Sequence, residues 1–128
     1  MPRNAIHSEN APKAIGPYSQ AIQVDAGKMT FLSGQIPLDP KTMEMVQGDA
    51  ATQTEQVMKN LKAVLAAAGL DFSHVVRCTI FLTDLGDFAK VNEVYGRSFT
   101  NAPPARATVQ VAALPRGAKV EIDAIAVS

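Results

Sequence analysis

The stretch "VVRCTIFLTDLGDFAKVNEVYGRSF", residues 75–99, decides the architecture. Its opening run, "VVRCTIFLT" (75–83), is rich in β-branched residues and predicts a well-buried strand. Asp84 then stands where a helix cap belongs. Phe88, Val91, Tyr95 and Phe99 follow at helical spacing, predicting a helix over roughly 85–98. A buried strand leading straight into an amphipathic helix calls for a sheet with that helix laid on it.

Working outward, residues 50–68, "AATQTEQVMKNLKAVLAAA", carry a second apolar stripe of Val57, Leu61, Val64, Leu65 and Ala68. Asp49 is its N-cap and Gly69 its stop. "YSQAIQV" (18–24) and "MTFLSGQ" (29–35) read as strands joined by the turn "DAGK". Residues 36–49 read as a loop holding a short hairpin, and residues 1–16 as irregular. "ARATVQVA" (105–112) and "KVEIDAIAV" (119–127) read as a closing hairpin turned by "LPRG". The element order β-β-α-β-α-β-β predicts an α+β domain spanning residues 1–128, with both helices on one face of the sheet.

Composition narrows the function. The chain has 128 residues, with Lys+Arg 12 and Asp+Glu 12, so its formal net charge is zero. Nothing electrostatic favours nucleic acid or an anionic membrane as a partner. The single cysteine, Cys78, excludes an intrachain disulfide and suits a reducing compartment. No apolar run of membrane-spanning length and no signal-peptide core is present, so a soluble cytoplasmic protein is expected, with an organellar one left open. His7 and His74 are isolated and no carboxylate cluster accompanies them, so no metal site is expected. No Gly-rich phosphate loop appears.

The polar residues of the last two strands are more telling. Alternation sets Arg106, Thr108 and Gln110 against Ala105, Ala107, Val109 and Val111. In the next strand Lys119, Glu121 and Asp123 oppose Val120, Ile122 and Ala124. If the apolar faces coincide in a hairpin, Gln110 meets Glu121 and Thr108 meets Asp123 on one polar face. Water alone could cover that face. Yet Arg106 follows Pro103-Pro104, whose fixed φ angles restrict the approach, and alanines flank it. Its planar fork matches a carboxylate in two parallel hydrogen bonds. Asn92 sits on or beside the apolar stripe of its helix, where an amide needs partners. It reads as a helix-to-loop tie or as a polar finger into a pocket. Ser33-Gly34 closes its strand with a residue that permits a bulge or close approach of a ligand to backbone.

These features occur together in "APKAIGPYSQAI", "FLSGQIPLDP", "TEQVMKNLKAVLAAAGL", "TIFLTDLGDFAKVNEVYGRSF" and "PPARATVQVAALPRGAKVEIDAIAV". From about residue 11 to the end the chain closely resembles the RidA (YjgF) family, in the archetypal RidA branch that keeps the arginine. The resemblance implies a chorismate-mutase-like α+β fold and a homotrimer built around a central β-barrel, with helices outside and clefts between subunits. It implies a cofactor-free enamine/imine deaminase that hydrolyses 2-iminopropanoate and 2-iminobutanoate to 2-keto acids and ammonia. By motif, Arg106 matches the carboxylate-binding arginine, Glu121 the water-positioning glutamate and Tyr18 the cleft tyrosine. Ser33, Gly34, Asn92 and Thr108 match substrate-binding positions. Thr108 stands where many relatives carry cysteine, which removes a thiol nucleophile. Met43 stands where "DPxTG" relatives have glycine; a left-handed turn there suits glycine and not methionine, so a different loop path is expected. Two other readings of the same cleft remain. One is a non-catalytic module that binds 2-keto acids; the other, disfavoured by the charge balance, is a ribonuclease or translation inhibitor.

Overall fold

The computed structural model describes residues 3–128. Its centre is β4 (Val75–Leu82), whose alternate residues Cys78, Ile80 and Leu82 are buried. The sheet has the order β3-β6-β4-β5, with β3 at Met29–Gln35, β5 at Ala105–Gln110 and β6 at Val120–Val127. β5 runs parallel to β4, and β6 runs antiparallel to both β4 and β3. The helices α1 (Ala50–Ala67) and α2 (Phe88–Gly96) cover one face, as the element pattern requires. The core between them joins Val57, Leu61 and Leu65 of α1 and Val91 and Tyr95 of α2 to Ile80, Leu82, Val120 and Ile122 of the sheet.

The start of α1 follows the sequence, and the start of α2 differs from it. Asp49 Oδ1 accepts the Thr52 N–H at 2.9 Å and caps α1, and Gly69 beyond its end takes φ +75°. Asp84 Oδ1 accepts the Gly86 N–H at 2.8 Å, but it caps a short 3₁₀ turn, Leu85–Asp87, that leads into α2. Helix α2 is therefore shorter than the stripe suggests. Phe88 is left half-exposed at its start, and Phe99 packs on the core from beyond its end. Val64 and Ala68 are exposed; Val64 borders a surface groove against the 36–45 loop instead of entering the core.

Two strand pairings differ from expectation. First, residues 3–6 are not irregular: β1 (Arg3–Ile6) pairs antiparallel with β2 (Ala21–Val24) as a separate two-stranded sheet. β2 thus does not form a hairpin with β3. Second, β5 and β6 are not neighbours, because β4 lies between them. The reason lies in the connection: β4, α2 and β5 form a strand-helix-strand unit, and such a crossover makes its two strands parallel. The segment after β5 then carries β6 across to the other side of β4.

This pairing decides which residues share a face. Cys78 stands opposite both Arg106 and Ala124, and Ile80 opposite both Thr108 and Ile122. Arg106, Thr108 and Gln110 therefore lie on the helix side. Thr79 stands opposite Ala107 and Asp123, and Phe81 opposite Val109 and Glu121, so Glu121 and Asp123 lie on the open side. The shared polar face expected of a hairpin does not exist. β5 is an edge strand, so polar groups on its inner side meet the margin of the helix layer and escape the middle of the core.

The 36–45 loop contains the expected short pairing, Leu38 with Met45. Asn60 of α1 holds it, donating to the carbonyls of Ile36 (3.3 Å) and Leu38 (2.9 Å). Met43 adopts φ 60°, the left-handed conformation that glycine favours. The loop keeps its turn and methionine bears the strain, which corrects the expected change of path. Met43→Gly should relieve it. After allowing for the greater freedom of unfolded glycine, the gain is about 1 kcal/mol, a rise in Tm of about 3 °C by calorimetry. An unchanged or lower Tm would mean the turn carries no strain.

Candidate functional site

Arg106 is the organising group on the helix side. Its Nη1 donates to Asn92 Oδ1 at 2.6 Å. This is the use of the Asn92 amide: α2 presents it at the rim, where it fixes one nitrogen of the guanidinium. Three rings surround the cation, with its Cζ 5.1 Å from the centroid of Tyr95, 5.4 Å from Tyr18 and 5.6 Å from Phe88. Such rings stabilise a positive charge without neutralising it. Burial lowers the Arg106 pKa, opposed by Tyr95, Cys78 and Tyr18, and the residue is part-buried. Among the described residues no carboxylate lies within 4.0 Å of it. The site is a partly dehydrated cation lacking a counter-ion, which is what an incoming carboxylate requires.

Two neighbours border the site. Gly16 lies beside the guanidinium: a Cβ built on it would be 3.4 Å from Arg106 Nη2, an ordinary contact. Along β5, Thr108 Oγ1 is buried with no hydrogen-bond partner, and Thr108 joins Leu85 and Phe88 in lining a cavity of about 290 Å³.

Glu121 belongs to a second cluster, on the open side of the sheet. There the strand β3 is interrupted between Leu32 and Gln35, and Gly34 turns its bare Cα toward Glu121. A Cβ on Gly34 would lie 2.2 Å from Glu121 Oε2. Glycine is therefore needed for Glu121 to hold its position, and exposed Ser33 and Gly34 flank that carboxylate. The sequence signal was the "SGQ" stretch, read there as a bulge or a close backbone approach; it is a bulge that makes room for a side chain. Gly34→Ala should leave Tm within about 2 °C, since the displaced carboxyl is the end of a flexible side chain. It should lower any Glu121-dependent rate about tenfold; an unaltered rate would remove Glu121 from the chemistry.

The candidate residues thus fall into two groups in one chain. Arg106, Asn92, Tyr18 and Thr108 are on the helix side, and Glu121, Ser33 and Gly34 on the open side. Tyr95 and Phe88 complete the aromatic surround. Sequence reading assigned both to the apolar stripe, and only their place on the Asn92 face of α2 hinted at more. Cys78 lies behind Tyr95; burial pushes its thiol up to about 11, and it offers no thiolate at neutral pH. No group of three or more metal-ligating side chains occurs among the described residues.

The open face is also the chain's exposed apolar surface. Phe31 is 69% exposed, Met29 54% and Val109 41%, with Phe81 and Ile125 between them in the sheet. A patch of this kind marks an interaction surface. No helix of the described residues is long and apolar enough to cross a membrane.

A family model described as endoribonuclease L-PSP matches residues 8–128. The chain is 86% identical to the Myxococcus xanthus protein named DfrA, over 100% of this chain and 98% of that protein. It is 51% identical to the mouse protein named 2-iminobutanoate/2-iminopropanoate deaminase, over 98% and 91% of the two chains. Among solved structures it is similar to Escherichia coli TdcF with bound serine, at 46% identity and a TM-score of 0.75, covering 98% of each chain.

Proposed function

The chain belongs to the RidA (YjgF) family, and from that membership we propose that it is a cytoplasmic enamine/imine deaminase, working as a homotrimer whose clefts lie between subunits. The observation that carries the reading is Arg106: a part-buried guanidinium, tied at one nitrogen to Asn92 and ringed by aromatic faces, with no carboxylate of its own. It is built to receive one. The substrates are 2-iminopropanoate and 2-iminobutanoate, with their enamine tautomers; the names of relatives at about half identity support that choice.

The two-sided arrangement supports the intersubunit cleft. One chain cannot turn Arg106 and Glu121 toward the same small molecule, because they lie on opposite faces of its sheet. The open face carries Phe31 and Met29 exposed and needs a partner. When it packs on a second copy, Glu121 and Ser33-Gly34 of one subunit complete the Arg106 group of the next.

In that cleft Arg106 clamps the substrate carboxylate and removes much of its orientational freedom. Thr108 satisfies its hydroxyl on the ligand. Tyr18 closes over the guanidinium, and the Ser33-Gly34 backbone frames the far side. Glu121 takes a proton from water as the oxygen adds to the imine carbon. It passes that proton to nitrogen, giving the carbinolamine; the carbinolamine hydroxyl proton then reaches the nitrogen through the same carboxylate as the C–N bond breaks, so ammonia leaves and the 2-keto acid remains. No cofactor takes part in this sequence.

A dehydratase that generates 2-aminoacrylate, with semicarbazide as competing trap, tests the reaction. Added protein should divert the imine to pyruvate and lower semicarbazone formation; an unchanged semicarbazone yield overturns the reading. One observation favours a second reading, a module that binds 2-keto acids without turnover: the Arg106 group is complete within a single chain and Glu121 is not part of it. Tight 2-oxobutanoate binding without imine hydrolysis would select it. A ribonuclease, despite the family model's description, gains nothing from the histidines. His7 pairs with Glu9 on the exposed N-terminal segment, and His74 serves the turn at Asp71.

A further inference from the structure

Three consecutive carbonyls lead into the strand that bears Arg106, and each is held by the N-terminal segment. Arg3 Nη2 donates to Ala102 O at 2.7 Å. Ser19 Oγ donates to Pro103 O at 2.5 Å, and the Ser19 N–H donates to Pro104 O at 3.2 Å. Arg3 Nε also donates to Ser73 O at 2.7 Å, anchoring the same guanidinium to the turn before β4.

From this geometry we infer that the start of β1 and the segment leading into β2, through Arg3 and Ser19, form a strap that positions the Arg106 clamp, so that Arg3 and Ser19 are positioning residues for carboxylate binding. The inference rests on the reading of Arg106 as the carboxylate site. Pro103 and Pro104 have no N–H, so the segment before β5 cannot join a ladder and its carbonyls need donors from elsewhere. β5 is paired only on its β4 side, and the start of such an edge strand is the part most free to shift. The strap restrains that start. It also restrains the other side of the clamp, because Ser19 follows Tyr18, whose ring lies 5.4 Å from the guanidinium, and Gly16 lies against Nη2. One hydroxyl thus sets both the strand and the aromatic lid of the cation. Arg3 is an expensive tether if it serves only to hold the chain down: it is partly buried, its Nη1 has no partner, and its contacts are carbonyls. Its fork is what reaches Ser73 and Ala102 at once, and a lysine has one nitrogen for the two.

The experiment pairs kinetics with a direct view of Arg106. Ser19→Ala and Arg3→Lys are compared with wild type and with Ser19→Thr, which keeps the hydroxyl. The Arg106 Nε–H signal in a ¹⁵N correlation spectrum is identified by its loss in Arg106→Ala. Ser19→Ala and Arg3→Lys should move that signal toward the position of solvent-exposed arginines. They should raise KM for imine hydrolysis, and Kd for 2-oxobutanoate, about fivefold, with kcat within about twofold. Ser19→Thr should behave as wild type. A strap that only stabilises the fold would lower Tm and leave KM, Kd and the Arg106 signal unmoved in the folded variants, and that result overturns the inference. If wild type hydrolyses no imine, the function fails separately, while the Arg106 signal and 2-oxobutanoate binding still decide the positioning role.

Discussion

Arg106→Ala should lower kcat/KM for imine hydrolysis at least a hundredfold, about 3 kcal/mol, while the protein folds and assembles as before. Within the chain the guanidinium has one hydrogen bond, to Asn92, and three aromatic faces. Burial already opposes its charge, as its lowered pKa reflects, so folding gains little from it. Its removal therefore costs the fold little and the substrate much. The loss falls on kcat/KM because the clamp holds the carboxylate in ground state and transition state alike. Arg106→Lys should recover only a small part, since an ammonium supplies a point charge and no second parallel donor. Asn92→Ala, which frees the guanidinium without removing it, should show a smaller loss, about tenfold and mostly in KM. Steady-state competition against semicarbazide gives all three values. Near-normal kcat/KM in a folded Arg106→Ala protein would remove the carboxylate clamp from the mechanism.

How far the sequence could lead is clearest at this residue. Prolines on one side, alanines around it and a fork suited to carboxylates made Arg106 stand out, but alternation alone was equally served by a solvated face, and the family resemblance supplied the carboxylate role. Its neighbours were legible in part. Asn92 stood out because an amide beside an apolar stripe requires a partner, and that partner proved to be Arg106. Tyr95 and Phe88 did not stand out, because an aromatic on a helical stripe reads as core, and Tyr95 is also core, fully buried behind the cation. The helix α1 with its Asp49 cap and the central strand were local patterns and emerged as read, whereas Asp84 caps the 3₁₀ turn before a shorter α2. Strand partners were not local. "ARATVQVA" and "KVEIDAIAV" look like a hairpin because they are adjacent and share an alternation, yet β4 lies between them. Alternation within a strand says which residues share its face; only the register says which face of the next strand they join. That missing register is why Arg106 and Glu121 looked as if they shared a face. The open face had the same history: Phe31 and Val109 could be read as apolar strand positions, but not as residues left uncovered.

Mixing two inactive variants should restore activity. Arg106→Ala lacks the clamp and Glu121→Gln lacks the base, so each alone should be at least a hundredfold slow. The sheet places these groups on opposite faces, and in the proposed cleft between copies Arg106 comes from one subunit and Glu121 from the next. In a cyclic trimer with random exchange of equal amounts, three trimers in four contain both variants. Each mixed trimer has one intact cleft out of three, so activity should return to about one quarter of wild type. The subunits must be allowed to exchange, for example by refolding the mixture together, and mass spectrometry of the intact assembly reports the mixing. The same geometry predicts that Phe31→Asp, on the uncovered apolar face, should dissociate the assembly and abolish hydrolysis while Arg106 still binds 2-oxobutanoate, because a charge there opposes the packing that unites the two groups. A mixture that stays inactive although its trimers are mixed would mean that clamp and base act within one chain, and the division of labour across the sheet would be wrong. Recovery near a quarter cannot arise from either parent, because neither carries both groups; it arises only if one subunit's open sheet face completes the site of its neighbour.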